Sequence, residues 1–452
     1  MGLRLYAAKK NTFNKPDQMN HTILFTAFLF ILSCTNLFGQ QKGDVYLIAG
    51  LFYDSEQNTF LKNKVIHVNG SSIQNIGDES IIPENAEVIN LSAYTVLPGL
   101  IDAHTHVIFT QEPSEDFAEC SMHTLTMESD AIRVLRGAKR ARSYLDVGIT
   151  TIKDLGNSGL FLDVALRDAI NEGTIIGPRM YASGPILSSS GGQIYGVSHQ
   201  HQNLVSLEYR VIKDVADAKN AVREHLNQNV DLIKICSDNI PNNTRLTIDE
   251  MKAIVEIAHS YDLKVTAHSI TNQSAWEAVK AGVDGIEHGF NLADSTLELM
   301  AKKNVFLVPT ENSLNYMKTY TQLALNSKEL PFWVDGYLTR MKERLMRAKE
   351  KGVIIIAGSD NYTDIKVPRG TSSQDMFQAY FEAGMTPQEI LQSATYLSAL
   401  AMNKEKRIGV LRKNAKADII AIKGDIINEF VNSIKNVVFV MKNGEIYLKE
   451  LD

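Results

Sequence analysis

The sequence predicts an α/β protein: a (β/α)8 TIM barrel with a small β-sandwich domain formed by both termini. Three observations carry this. Strand-length apolar runs alternate with helix-periodic segments through the middle of the chain. Short β-rich segments sit at both ends. Histidine, lysine and aspartate recur at the ends of the predicted strands, where barrels of this kind carry their active sites.

The elements follow in order. Asp44–Ala49, Lys64–Val68 and Ala86–Leu91 are predicted strands, and Asn69-Gly70 is a tight-turn dipeptide after the second. A helix around Ala131–Val147, with Ile132, Leu135, Ala138 and Leu145 at helical spacing, leads to strand Ile149–Ile152. Met180–Ala182 is the third barrel strand, and helix Val215–Leu226 leads to strand Val230–Ile235. Thr247 with Glu250 forms a capping box opening helix 248–259. Strand Lys264–His268, helix 273–281, strand Gly285–His288, helix 294–303 and strand Val305–Val308 continue the alternation. Helix 332–351 precedes the eighth strand, Val353–Ala357, and Thr386-Pro387-Gln388-Glu389 opens a further helix with proline in its first turn. Strands Ala417–Ile422 and Val437–Met441 return the chain to the small domain. The implied domains are a leader over 1–39, the small domain over 40–98 and 405–452, and the barrel over 99–404.

The 452 residues are 44% hydrophobic and 22% charged, with a formal net charge of -6. This is globular composition, without the basic balance of a nucleic-acid-binding surface. Ile23–Leu32 is an uncharged apolar run, too short to span a bilayer, with Arg4, Lys9, Lys10 and Lys15 upstream. It fits a signal peptide cleaved near Gly39-Gln40, with Met19 an alternative start. Ile31-Leu32-Ser33-Cys34 is a second reading, lipidation at Cys34. An exported protein, periplasmic or secreted, with no transmembrane domain after processing, is expected. The thiols left after cleavage, Cys120 and Cys236, make no disulfide framework.

The chemistry sits at strand ends. Val96-Leu97-Pro98-Gly99-Leu100-Ile101-Asp102-Ala103-His104-Thr105-His106 is an apolar run ending in two histidines at i, i+2, which alternation places on one strand face. Imidazole is a common metal ligand. His268 ends strand five, His288 ends strand six, Lys234 lies in apolar strand four, and Gly358-Ser359-Asp360 follows strand eight. A lone buried ammonium is costly unless paired. Lys234 either reaches solvent or is converted to an acid that bridges two cations. Cys236 shares its strand face and reads as a core cysteine. His199 and His201 fall in a polar loop and read as solvated.

These motifs, with Gly148–Gly156, Glu287-His288-Gly289 and the tail from Arg407 to Ile419, make residues 44–452 resemble the amidohydrolase superfamily, in its imidazolonepropionase-related, Xaa-Pro dipeptidase-like branch. The resemblance implies a binuclear metal-dependent hydrolase of C–N amide bonds, acting on a small molecule or dipeptide through a metal-bridging hydroxide. By resemblance, His104, His106 and Asp360 hold one divalent cation, expected to be zinc, and His268 and His288 hold the other. Lys234, N6-carboxylated, bridges them, and Asp360 moves the proton. The branch has Gly-Gly-His-Gly after strand three, where this chain has Gly191-Gly192-Gln193-Ile194-Tyr195-Gly196, and a tyrosine after the strand-five histidine, where this chain has Ser269-Ile270. Gln193 and Tyr195 are therefore the candidate substrate-binding residues, and Arg369 is a candidate partner for a substrate carboxylate. A lactone, phosphotriester or cyclic-amidine substrate stays open, as do a non-catalytic scaffold and a homo-oligomer.

Overall fold

In the computed structural model, residues 43–451 are described. The expected leader over 1–39, including Ile23–Leu32 and Cys34, lies outside them. Along the chain the strands are β1 (Val45–Asp54), β2 (Thr59–Asn69), β3 (Ser72–Gly77), β4 (Glu87–Pro98), β5 (Leu100–Thr105), β6 (Ile149–Asp154), β7 (Arg179–Ala182) and β8 (Ile186–Ser188). They continue with β9 (Tyr209–Val211), β10 (Leu232–Cys236), β11 (Lys264–Ser269), β12 (Gly285–His288), β13 (Phe306–Val308), β14 (Ile419–Ile422), β15 (Val437–Lys442) and β16 (Glu445–Lys449).

The terminal strands form one seven-stranded sheet in the order β16-β15-β14-β4-β1-β2-β3. Both chain ends do build it, as expected. It is one continuous mixed sheet, however, where two facing sheets were expected of a sandwich. Its inner face buries Leu47, Ile66, Ile73, Leu91, Val96, Ile419 and Phe439 completely. β4 and β14 pair antiparallel from Pro98↔Ile419, so this sheet ends one residue before the first histidine-bearing strand begins.

The middle is TIM-barrel-like. Two parallel sheets, β5-β6-β7 and β13-β12-β11-β10-β8-β9, stand where one closed ladder was expected. Strand three is split: Ser183-Gly184-Pro185 interrupts it, so β7 pairs with β6 and β8 pairs with β10. Gly184 has a positive φ and Pro185 offers no N–H, so the ladder cannot run through. Asp231 N to Ala182 O, at 2.9 Å, is a backbone bond across this gap. The expected eighth strand over 353–357 forms only the bridge Ile355↔Leu307. A few backbone bonds join it to its neighbours: Leu307 N to Ile354 O at 2.9 Å and Ile356 N to Leu307 O at 3.0 Å on one side, and Ala103 N to Ala357 O at 2.8 Å on the other.

Helices cover the outer faces and bury a continuous core that includes Ile233, Ile254, Ala278, Ile286 and Leu297, all fully inaccessible. The predicted capping box forms at Thr247/Glu250, and the helix expected to open at Thr386-Pro387 starts with a second one, Thr386/Glu389. Among the described residues, no helix is long and apolar enough to cross a membrane.

Candidate metal centre

His104 and His106 emerge from the end of β5 facing the same way, as period-two alternation requires. Both are buried. The His104 Nδ1–H donates to Glu287 Oε2 at 2.7 Å, and the His106 Nδ1–H donates to the Gly156 carbonyl at 2.8 Å. Carboxylate and carbonyl oxygens only accept, so these bonds place the protons on Nδ1 and leave each Nε2 lone pair facing inward. The two Nε2 atoms lie 3.2 Å apart, and Asp360 Oδ1 is 3.4 and 3.2 Å from them. Three acceptors from two segments thus converge, a donor set that suits a divalent cation.

His268 and His288 sit beside this group, their ring centroids 4.6 Å apart, and His288 lies 5.0 Å from His104. Alternation along β12 should send Glu287 and His288 to opposite faces. His288 instead adopts φ 66°, which turns it inward beside Glu287. Thr310 and Asp360 also have positive φ, 55° and 50°. Such conformations cost free energy in non-glycine residues and cluster at functional sites. Thr310 Oγ1 holds His288 Nδ1 at 2.9 Å. Gly358 allows the close approach of these segments, because a Cβ there would meet Val308 Cγ1 at 2.4 Å and His104 Cβ at 2.9 Å.

Lys234 is 2% exposed and lines the same cavity. Among the described residues its ammonium has no hydrogen-bond or ion-pair partner. Burial pushes its pKa down, and Glu287 and Asp360 only partly oppose this. Burial also lowers His104 and His268 to about 4, with Lys234 adding to both, and it takes His288 well below the ordinary range. Neutral imidazole is the ligating form. Burial pulls His106 down as well, but Asp360 and Asp154 outweigh it and leave it raised. Burial would raise Asp360, yet His104, His106 and Lys234 hold it below the usual carboxylate range, so it is ionised at neutral pH.

Glu287 was visible in the sequence only as part of a motif. It is fully buried, accepts from Lys153 Nζ at 3.1 Å and Thr266 Oγ1 at 2.5 Å, and orients His104. The only sequence signal for it was a carboxylate inside an otherwise apolar strand.

The cavity occupies about 530 Å³. Of the candidate substrate-binding residues, Gln193 and Tyr195 line it. Gln193 Nε2 is 3.0 Å from His268 Nε2, and Tyr195 stands at the mouth with its hydroxyl on Asp116. Arg369, expected to meet a substrate carboxylate, does not line the cavity. It is buried, and its guanidinium donates to the carbonyls of His106, Asn361, Phe109 and Tyr362 and to Thr110 Oγ1, at 2.8–3.3 Å. Those acceptors occupy both of its terminal nitrogens. Cys236 packs in an apolar cluster with Ile186, Ile194 and Tyr209, and burial pushes its thiol up to about 12, so it is a core residue. His199 and His201 lie in a short 3-10 segment, exposed as expected.

A TIM-barrel-like α/β protein with two buried histidines and a half-buried aspartate together at its strand ends defines a class of hydrolase scaffolds. Residues 95–447 match the amidohydrolase family, and the chain belongs to it. The ochratoxinase of Aspergillus niger is 27% identical over 418 residues, covering 86% of this chain and 83% of that protein. An imidazolonepropionase of Fusobacterium nucleatum is 24% identical over 415 residues, covering 86% and 90%. A crystal structure of a Xaa-Pro dipeptidase with methionine bound in its active site superposes with a TM-score of 0.76 at 26% identity, covering 90% of this chain and all of that one. The protein is thus a hydrolase-family enzyme.

Proposed function

We propose that this enzyme hydrolyses a C–N amide bond of a small molecule or short peptide with two divalent cations, zinc above other metals. His104, His106 and Asp360 would hold one cation, and His268 and His288 the other. Lys234 would bridge them as a carbamate, formed when its free amine adds carbon dioxide and releases a proton. The observation that carries this is Lys234 itself: a buried, unpartnered amine beside four histidines and an aspartate. Such a group is costly as an ammonium and is stabilised as a bridging anion.

When bound, the cations would supply a water acidic enough to ionise near neutral pH and a Lewis acid for the carbonyl. This chain's residues do the rest. Glu287 and the Gly156 carbonyl keep His104 and His106 in the ligating tautomer. Asp360, ionised and beside both, takes a proton from the attacking water and returns it to the leaving amine. Gln193 and Tyr195 sit where a substrate would lie.

Lys234→Ala should abolish turnover and lower the content of both metals, measured by elemental analysis of the purified protein. A variant with full metal content and wild-type turnover would overturn the bridge. Wild-type protein purified without metal would sink the whole reading. We also read residues 1–39 as an export leader, supported by the apolar run Ile23–Leu32. The mass of the mature N-terminus from the cell envelope and medium tests it.

A further inference from the structure

The cavity walls narrow the substrate further, an inference that rests on the amide-hydrolase reading above. Aromatic rings make up much of the lining. Tyr316 and Tyr320 stack at 6.5 Å and 9°, Phe117 and Tyr362 meet edge to face at 6.1 Å, and Phe290 lies 5.5 Å from His288. Trp333, 45% exposed, stands at the opening. Flat walls of this kind bind rings and large apolar groups by area and by offset or edge contact.

The charge of the lining is equally selective. Among the described lining residues, Lys234 is the sole lysine or arginine, and the reading above makes it an anion. Two guanidiniums lie close by, but neither residue lines the cavity, and the terminal nitrogens of both are held by protein acceptors. Arg369 has both terminal nitrogens on backbone carbonyls and Thr110. Arg344, 1% exposed, is held by Glu311 and by the carbonyls of His288 and Pro309, beneath the ring of Phe290. The other polar liners near the rings, Gln111, Asn157, Asn312 and Thr363, are neutral. A substrate carboxylate lodged among the rings, away from the two cations, would find no cationic side chain. Burying an unpaired carboxylate is costly.

We propose that the substrate is a neutral amide carrying an aromatic group beside the scissile bond, and not a dipeptide or N-acyl amino acid with a free carboxylate. The test compares N-benzoyl-phenylalaninamide, N-benzoyl-phenylalanine and N-acetyl-alaninamide on the metal-loaded full chain. The first should exceed each of the others in kcat/KM by at least about tenfold. Equal or better turnover of N-benzoyl-phenylalanine, or of N-acetyl-alaninamide, overturns the proposal. Turnover of none of the three would count against amide hydrolysis. Calorimetric binding of the same compounds then decides the cavity's preference: the same order supports it, and no discrimination overturns it. Trp333→Leu combined with Tyr320→Leu should collapse the ratio between the first compound and the third. A ratio left intact by that pair, in a variant with wild-type circular dichroism, also counts against the proposal.

Discussion

A carboxylate decides which nitrogen of His104 faces the cavity. Glu287 accepts the Nδ1–H and is itself held by Lys153 and Thr266, all in a buried site. Partners that orient a ligating histidine are commonly worth 10- to 100-fold in metal affinity. Glu287→Gln keeps the volume and one acceptor but loses the charge that pairs with Lys153. It should weaken metal binding by roughly that factor in a chelator-competition titration, with circular dichroism confirming the fold. Wild-type affinity in the variant would remove Glu287 from a positioning role. The ligand candidates were legible because each polar residue ends or interrupts an apolar run. Glu287 interrupts such a run too, but its role was not legible, because its partner His104 lies 183 residues away. Arg369 misled for the same reason: its carbonyl acceptors come from Phe109, His106, Asn361 and Tyr362, and they converge only in the folded chain.

At the scale of elements, periodicity located most barrel strands and their covering helices, and capping chemistry located helix starts. It missed the break in strand three, because Ser183-Gly184-Pro185 reads as the end of one strand, while β8 resumes its path only four residues later. It missed the short ladder of the eighth strand because Val353–Ala357 is apolar whether or not its neighbours offer regular pairing. Helix Phe117–Met127 was missed although Asp116 caps it, since its residues carry little amphipathic pattern. Asp163, in the first turn of helix Leu162–Asn171, pins that helix to the strand-three break by accepting from Gly184 N at 2.8 Å. Burial, with Asp154 adding to it, pushes this carboxyl from 3.8 up to about 7. The folded state therefore favours the protonated acid. As pH rises from the unfolded value toward the folded one, the unfolded state ionises first and stability falls. Asp163→Asn keeps an acceptor oxygen for Gly184 N and has no proton to lose. The variant's melting temperature should gain on wild type between pH 4 and pH 7, an interval set by those two pKa values. A gap that stays constant across that range would show that Asp163 does not titrate there.

At the scale of the whole molecule, the seven-stranded terminal sheet and the barrel are one structure. β4 ends at Pro98, Gly99 N donates to the Asp418 carbonyl at 2.9 Å, and β5 then carries the chain to His104. The Asp418 side chain, 3% exposed, accepts from Arg179 Nη2 at 3.0 and 3.3 Å and from Asn443 N at 2.8 Å, joining β7 of the barrel to β14 and to the β15–β16 turn. Lys442 Nζ adds a bond to the Gly177 carbonyl at 2.7 Å. Removing one partner of a largely buried pair strands the other charge, which costs more than the pair contributes net. Asp418→Ala should therefore lose about 2–3 kcal/mol in urea denaturation, discounted from a fully buried pair because Arg179 retains some solvent. The double change with Arg179→Met should lose less than the sum of the two single changes, because it removes the stranded guanidinium as well. Strictly additive losses would mean that the pair does not couple the sheet to the barrel. The coupling would then rest on other links, among them the chain passing from β4 through Gly99 into β5 and the Lys442–Gly177 bond.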